Sequence, residues 1–162
     1  SEFLNQNSIS NVILRQADYF VYPPKTNNFM RREDKNWRGM REVKLDLLDA
    51  HVKAFKNGEH FIEKPLIEYG SNTSQNTNFN FFGANLLIVE GTYTSTLSNV
   101  DIGVFIDRNF HQTLEHRQNR NRDSSELDDF TKQVLQKEHS IISKHRALAD
   151  IIINSDYSVE FQ

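Results

Sequence analysis

The chain has 162 residues, 37% of them hydrophobic, with 19 Lys and Arg against 22 Asp and Glu, a size and balance that fit one soluble domain with a sizeable core. The net charge of -3 argues against a nucleic-acid partner. The absence of cysteine excludes disulfides and thiolate metal sites. No apolar stretch reaches the length of a membrane span and no signal-peptide pattern opens the chain, so a cytoplasmic protein without a membrane partner is the expectation.

Residues 1–7 read as the tail of a helix, with Phe3 and Leu4 apolar. Residues 10–16 form a short β-prone run, and Asp18 stands just past its end, ahead of an extended segment that runs from Tyr19 to Pro23 and Pro24. An Asp there serves either its own turn or a ligand. Residues 25–40 are polar and irregular, with Arg31, Arg32, Lys35, Arg38 and Arg41 crowded around Trp37, the only tryptophan. Without apolar periodicity this stretch reads as a long loop. Its arginines are either a solvated face or phosphate-directed. From Glu42 the pattern changes: Leu45, Leu48, Val52 and Phe55 recur at helical spacing, and Gly58 follows a basic last turn as a stop signal.

Residues 61–70 are extended and close on Gly70, and the Asn-, Ser- and Thr-rich residues 71–80 read as a loop or hairpin tip. Leu86-Leu87-Ile88-Val89-Glu90-Gly91 has no alternation and reads as a strand buried on both faces, of the kind found in parallel sheets covered by helices. Ligands of such sheets gather at the strands' carboxyl ends, where Glu90 sits, and Gly91 lets the backbone turn and approach closely. Residues 100–107 read as another buried strand ending in an acid, with Asp107 as a cap of a helix begun by Phe110 and Leu114. Arg117, Arg120 and Arg122 follow within six residues. Permanently charged forks of this kind suit polyphosphate oxygens, although the dipole of a helix end also favours cations. Ser125 reads as the cap of a long helix carrying Leu127, Phe130, Val134 and Ile141, and residues 149–154 as a last buried strand. The six histidines have no tight ligand spacing, which argues against zinc. Strands alternating with helices give an α/β three-layer domain with a mostly parallel sheet.

In order, these segments resemble the uridine kinase and phosphoribulokinase group of P-loop kinases over nearly the whole chain. Asp18-Tyr19-Phe20-Val21-Tyr22-Pro23 resembles the group's strand-end Asp followed by aromatics, and the Tyr-Pro also resembles pantothenate kinases. Ile88-Val89-Glu90-Gly91-Thr92-Tyr93 resembles its Glu-Gly-Ile-Tyr strand end, and residues 115–130 its arginine-rich lid. The resemblance implies a single P-loop NTPase-like domain over 1–162 and an ATP-dependent, Mg²⁺-assisted kinase. Its acceptor is a small nucleoside-like molecule such as uridine, and its donor is a nucleoside triphosphate. Asp18 is then the base near the metal, Glu90 a metal holder, and Arg117, Arg120 and Arg122 the groups that close over ATP, with Arg117 and Arg122 acting in catalysis. Tyr22, Arg41, Glu68 and Tyr69 are the acceptor contacts, and members of the group often form homo-oligomers. Such a reaction needs positioning, a metal and cationic neutralisation rather than a covalent nucleophile.

The sequence departs from the group in two places. None of its six glycines is followed by lysine, so the Gly-x-x-x-x-Gly-Lys-[Ser/Thr] pattern and its strand are missing from the sequence, and the resemblance implies that they precede residue 1 in a longer protein. Ile67-Glu68-Tyr69 and the Asn/Ser/Thr-rich loop replace the uridine pocket's usual residues. Pantothenate-like specificity and a non-catalytic, kinase-derived interaction module are therefore the alternatives.

Overall fold

The structure, a computed structural model, describes residues 2–109, 112–113 and 128–162. The chain falls into two compact units, 1–100 and 101–162.

In the first unit a short helix, α1 (Glu2–Gln6), leads into strand β1 (Asn11–Arg15). β1 pairs in parallel with β4 (Leu86–Glu90), and the register sets Asn11 opposite Leu86 and Arg15 opposite Glu90, so both strands end at one level. A 3-10 turn over Gln16–Tyr19 carries the chain off β1. Helix α2 (Pro24–Glu33) begins on a proline, whose missing N–H costs nothing at a helix start. Helix α3 (Leu45–Lys56) presents Leu48, His51 and Val52 inward at helical spacing, and burial of Leu48 and Val52 stabilises the unit by about 1.5–3 kcal/mol each. Gly58 beyond it adopts φ 81, a conformation that costs other residues strain. Strands β2 (Phe61–Glu68) and β3 (Thr73–Asn80) form an antiparallel hairpin with Glu68 opposite Thr73. Leu14, Tyr19, Leu48, Val52, Ile62, Ile67 and Phe81 are among the buried residues of this unit.

In the second unit β5 (Val104–Ile106) pairs in parallel with β6 (Ile151–Ile153), and β7 (Val159–Phe161) folds back antiparallel to β6. Helix α4 (Asp129–Ile142) is capped by Asp128, whose carboxylate accepts from the Thr131 N–H at 2.6 Å. Phe105, Ala149 and Ile152 form a small buried cluster with Ile142 against it.

The α/β class with parallel pairing agrees with the sequence reading, and several local expectations are corrected. Residues 25–33 are helical: α2 lacks an apolar stripe because the side chains it turns inward, Asn27 and Arg31, are polar and meet a buried carboxylate. Residues 73–80 are a strand and only the tip of the hairpin is a turn. Its polar residues are tolerated because one partner strand supplies the ladder and β3 is largely exposed. β4 is not buried on both faces: it pairs only with β1 among the described residues, and Leu86 is exposed. β5 is likewise exposed at Val104 and Ile106, with only Phe105 buried. Residues 151–153 are not the last strand, because β7 follows them. Asp107 accepts from Arg146 Nε at 3.0 Å. Phe110, Leu114 and Ser125 lie outside the described residues.

Candidate active site

The site is built on the segment that leaves β1 and on β2. After the 3-10 turn, the chain is fastened to residues 42–44: the Val21 N–H donates to the Glu42 carbonyl and the Lys44 N–H to the Tyr19 carbonyl, both at 2.8 Å. This fixes Asp18 at the carboxyl end of β1 and Phe20 and Tyr22 beyond it. From β2, Lys64 reaches Asp18: its ammonium lies 2.6 Å from Asp18 Oδ2 and donates at 3.1 Å to the Pro65 carbonyl. Both partners are largely withdrawn from water, the Lys64 side chain 6% and that of Asp18 16% exposed. The ammonium also stands 6.0 Å from the Tyr19 ring centroid and 5.7 Å from that of Phe79, within or near cation–π range.

Tyr19 and His51 complete this cluster. The phenol and His51 Nδ1 are 2.8 Å apart. Burial, and then the Asp18 carboxylate, push the Tyr19 pKa up, so the phenol stays protonated and donates. Burial, and then the Lys64 ammonium, push the His51 pKa down, against a smaller opposing effect of Glu59. His51 is therefore a neutral acceptor at pH 7.

A cavity of about 190 Å³ opens beside these segments, walled by Phe20, Tyr22, Pro24, Ile67 and Tyr69, with Asn27 and Arg31 as its polar members. Tyr22 and Tyr69, two of the acceptor contacts expected from the sequence, thus meet in one pocket. The other two lie elsewhere. Glu68 accepts from Ser71 Oγ and Gln75 Nε2 on the hairpin surface, because neighbouring strand residues point to opposite faces. Arg41 borders an open depression formed by residues 40–41 and 43–47.

Glu90 faces Arg15 across the strand pair at 3.2 Å, and both side chains are more than half exposed. A surface pair of this kind is worth about 0–1 kcal/mol, so the carboxylate is easily released to another partner. Gly91 makes the close approach expected of it, but to Gln16: a Cβ there would lie 2.3 Å from Gln16 Cβ. The Gln16 amide oxygen in turn accepts from the Tyr93 N–H at 2.7 Å and holds the loop after β4. Among the described residues no group of three or more acidic or histidine side chains is arranged to hold a metal. That is compatible with a magnesium ion bound mainly through phosphates and one or two carboxylates. Glu90 fits such a role, while Asp18 Oδ2 is occupied by Lys64. Arg117, Arg120 and Arg122 lie outside the described residues.

The second unit has a cavity of about 400 Å³ lined by Asp107, Arg108, His139 and Arg146 among others. Arg146 bridges Asp107 at 3.0 Å and Glu160 at 3.2 Å.

The phosphoribulokinase of Rhodobacter spheroides superposes with a TM-score of 0.69 over 94% of this chain and 63% of its own, at 11% identity. The fold is that of the phosphoribulokinase and uridine kinase-like P-loop kinases. A possible uridine kinase from Bacillus stearothermophilus matches with a TM-score of 0.60 over 94% of this chain and 76% of its own, at 15% identity. In sequence, a bifunctional alpha-galactosidase/sucrose kinase of Mediterraneibacter gnavus is 28% identical over 123 residues. That match covers 74% of this chain but only 13% of the relative's length. No family model matches the chain.

Lys64 is the site residue that sequence reasoning missed. A lysine in a strand ordinarily points to water. The signal was its phase: Lys64 lies two residues from Ile62, and alternation turns both to the same buried face.

Proposed function

We propose that the chain carries the acceptor side of a small-molecule kinase, which moves the γ-phosphoryl group of ATP to a hydroxyl. The observation that carries this reading is Asp18, fixed at the carboxyl end of β1 by Lys64, on segments that also wall an aromatic pocket. The kinase fold supports it. Asp18 takes the proton of the acceptor hydroxyl as the oxygen attacks the γ-phosphorus. The bond from phosphorus to the bridging oxygen breaks, and ADP leaves. Lys64 holds the Asp18 carboxylate in one orientation for that transfer. Glu90 would hold Mg²⁺, directly or through water, and the ion would neutralise phosphate charge. Arg117, Arg120 and Arg122 are assigned to the phosphates on the strength of their sequence pattern.

The acceptor is a small hydroxyl compound. Uridine is the candidate implied by the resemblance, and the sequence relative, an alpha-galactosidase/sucrose kinase, adds sucrose. Aromatic walls suit the flat face of a base and the C–H face of a sugar ring alike. A panel of uridine, pantothenate and sucrose, assayed with Mg²⁺-ATP, separates these acceptors. The test of the base is Asp18→Asn, which preserves an oxygen for Lys64. In the complete protein, phosphate loop included, it is expected to lower transfer by 10²-fold or more while nucleotide affinity is retained. Full activity in that variant would refute the assignment.

A further inference from the structure

The cavity between Tyr22 and Tyr69 contains a cation that is already spent. Arg31 borders it, yet its Nε donates to Glu42 Oε2 at 2.6 Å and its terminal nitrogen lies 2.6 Å from the same oxygen. Glu42 is itself 1% exposed. It accepts further from Asn27 Nδ2 at 2.6 Å and, through Oε1, from the Gly39 N–H at 2.7 Å. The Asn27 oxygen accepts in turn from Trp37 Nε1 at 2.7 Å, and the Trp37 ring braces Tyr22 with centroids 5.3 Å apart. One buried carboxylate outside the cavity therefore fixes three of its lining side chains: Arg31 and Asn27 directly, and Tyr22 through Trp37.

This arrangement has a consequence for charge. A cation meant for a phosphate or carboxylate is ordinarily left available to it, since each anion oxygen must recover the hydration it loses. Here a carboxylate withdrawn from water neutralises the guanidinium from behind, and an incoming anion would compete with it across a low-dielectric gap. The remaining walls, Phe20, Tyr22, Ile67 and Tyr69, offer ring faces and apolar surface. An uncharged ring can stack there without being stripped of an ionic hydration shell.

We propose that this pocket selects an uncharged ring compound over its phosphorylated counterpart, and that Glu42 is the positioning residue that enforces the choice. The inference rests on the kinase reading for the ring's role as acceptor, and deepens it by naming the charge class.

The test is equilibrium binding to the full chain without nucleotide, followed by Trp37 fluorescence and by calorimetry. The probes are two matched pairs: uridine with uridine 5′-monophosphate, and glucose with glucose 6-phosphate. For at least one pair the wild type is expected to bind the uncharged member on the order of tenfold more tightly. Glu42→Gln keeps the shape of the hub and removes the carboxylate charge that Arg31 meets there, so that preference should shrink by about tenfold or invert. Should Glu42→Gln not fold, the paired variant Glu42→Gln with Arg31→Met buries no net charge, and it is expected to keep the wild-type preference. Tyr69→Ala, which leaves the four hydrogen-bond contacts of Glu42 in place, should weaken the uncharged ring without restoring the anion. Equal or tighter binding of the phosphorylated members by wild type overturns the proposal, as does a failure of both uncharged probes to bind at millimolar concentration. So does an unchanged preference in a folded Glu42→Gln, or a lost preference in the paired variant. Because no nucleotide is present, the outcomes separate. Ring binding without phosphoryl transfer in a protein that includes the phosphate loop leaves the pocket standing and removes the kinase, and transfer with a preference for anions does the reverse.

Discussion

The Asp18 and Lys64 pair makes an asymmetric prediction about stability. Lys64 is the more deeply buried partner, and without Asp18 its ammonium keeps a single acceptor, the Pro65 carbonyl at 3.1 Å. Asp18→Ala should therefore cost about 3–5 kcal/mol, as expected when one member of a buried pair is left alone. Lys64→Met is milder. Its unbranched side chain can lie between the Tyr19 and Phe79 rings that now flank the lysine, and Asp18, at 16% exposure, can recruit water. A cost of about 1–3 kcal/mol follows. The double variant removes both charges and should cost less than the sum, by a coupling of about 0.5–3 kcal/mol. Urea denaturation followed by Trp37 fluorescence suits the question, because the only tryptophan lies in the same unit as the pair. With a slope of about 2 kcal/mol per molar urea, a 4 kcal/mol loss moves the midpoint by about 2 M. A Lys64→Met variant less stable than Asp18→Ala, or costs that simply add, would show that the pair is not the buried, mutually dependent contact described above.

Further outcomes follow from neighbouring residues. Gly91→Ala places a Cβ against Gln16 and should destabilise by about 1–3 kcal/mol or more; an unchanged urea midpoint would mean that the loop after β4 is free to move. Glu90→Gln should alter stability by less than about 1 kcal/mol, because its pair with Arg15 is a surface one. Transfer with Mg²⁺-ATP should nevertheless fall, and retained activity would remove Glu90 from the metal. His51 titrates below its ordinary value near 6.5 in the folded chain, so the unfolded chain takes up the proton first as pH falls. Its contribution to stability is complete above about pH 6.5 and is lost as pH drops through the lower folded value. His51→Gln, which still accepts from Tyr19, should flatten that acid limb in Trp37-detected melts, and an unchanged limb would place its cause elsewhere.

What could be read in advance depended on whether the interior was apolar or polar. Helix α3 was legible because Leu48 and Val52 repeat at helical spacing, and β1, β2, β4 and β6 because apolar runs end at turn residues. Helix α2 was not, since its one buried position is Asn27, its inward partner Arg31 is half-buried, and both are polar where helical periodicity is read from apolar residues. The same blindness hid the ion pair: Asp18 was legible as a strand-end acid, but its partner is a lysine whose inward phase shows only once the alternation of β2 is trusted over the residue's charge. In the pocket, Tyr22 and Tyr69 were expected as acceptor contacts together with Arg41 and Glu68, which lie elsewhere. Arg31, in contrast, was one arginine among several in a basic run. The feature that distinguishes it, a buried carboxylate eleven residues away, joins two segments that neither spacing nor composition connects. Hydrophobic pattern thus reports where the chain folds, while the charge of a buried site is set by pairings across the fold. The polar interior of this unit, with Glu42 on Arg31 and Lys64 on Asp18, is where its selectivity and its chemistry would have to be encoded.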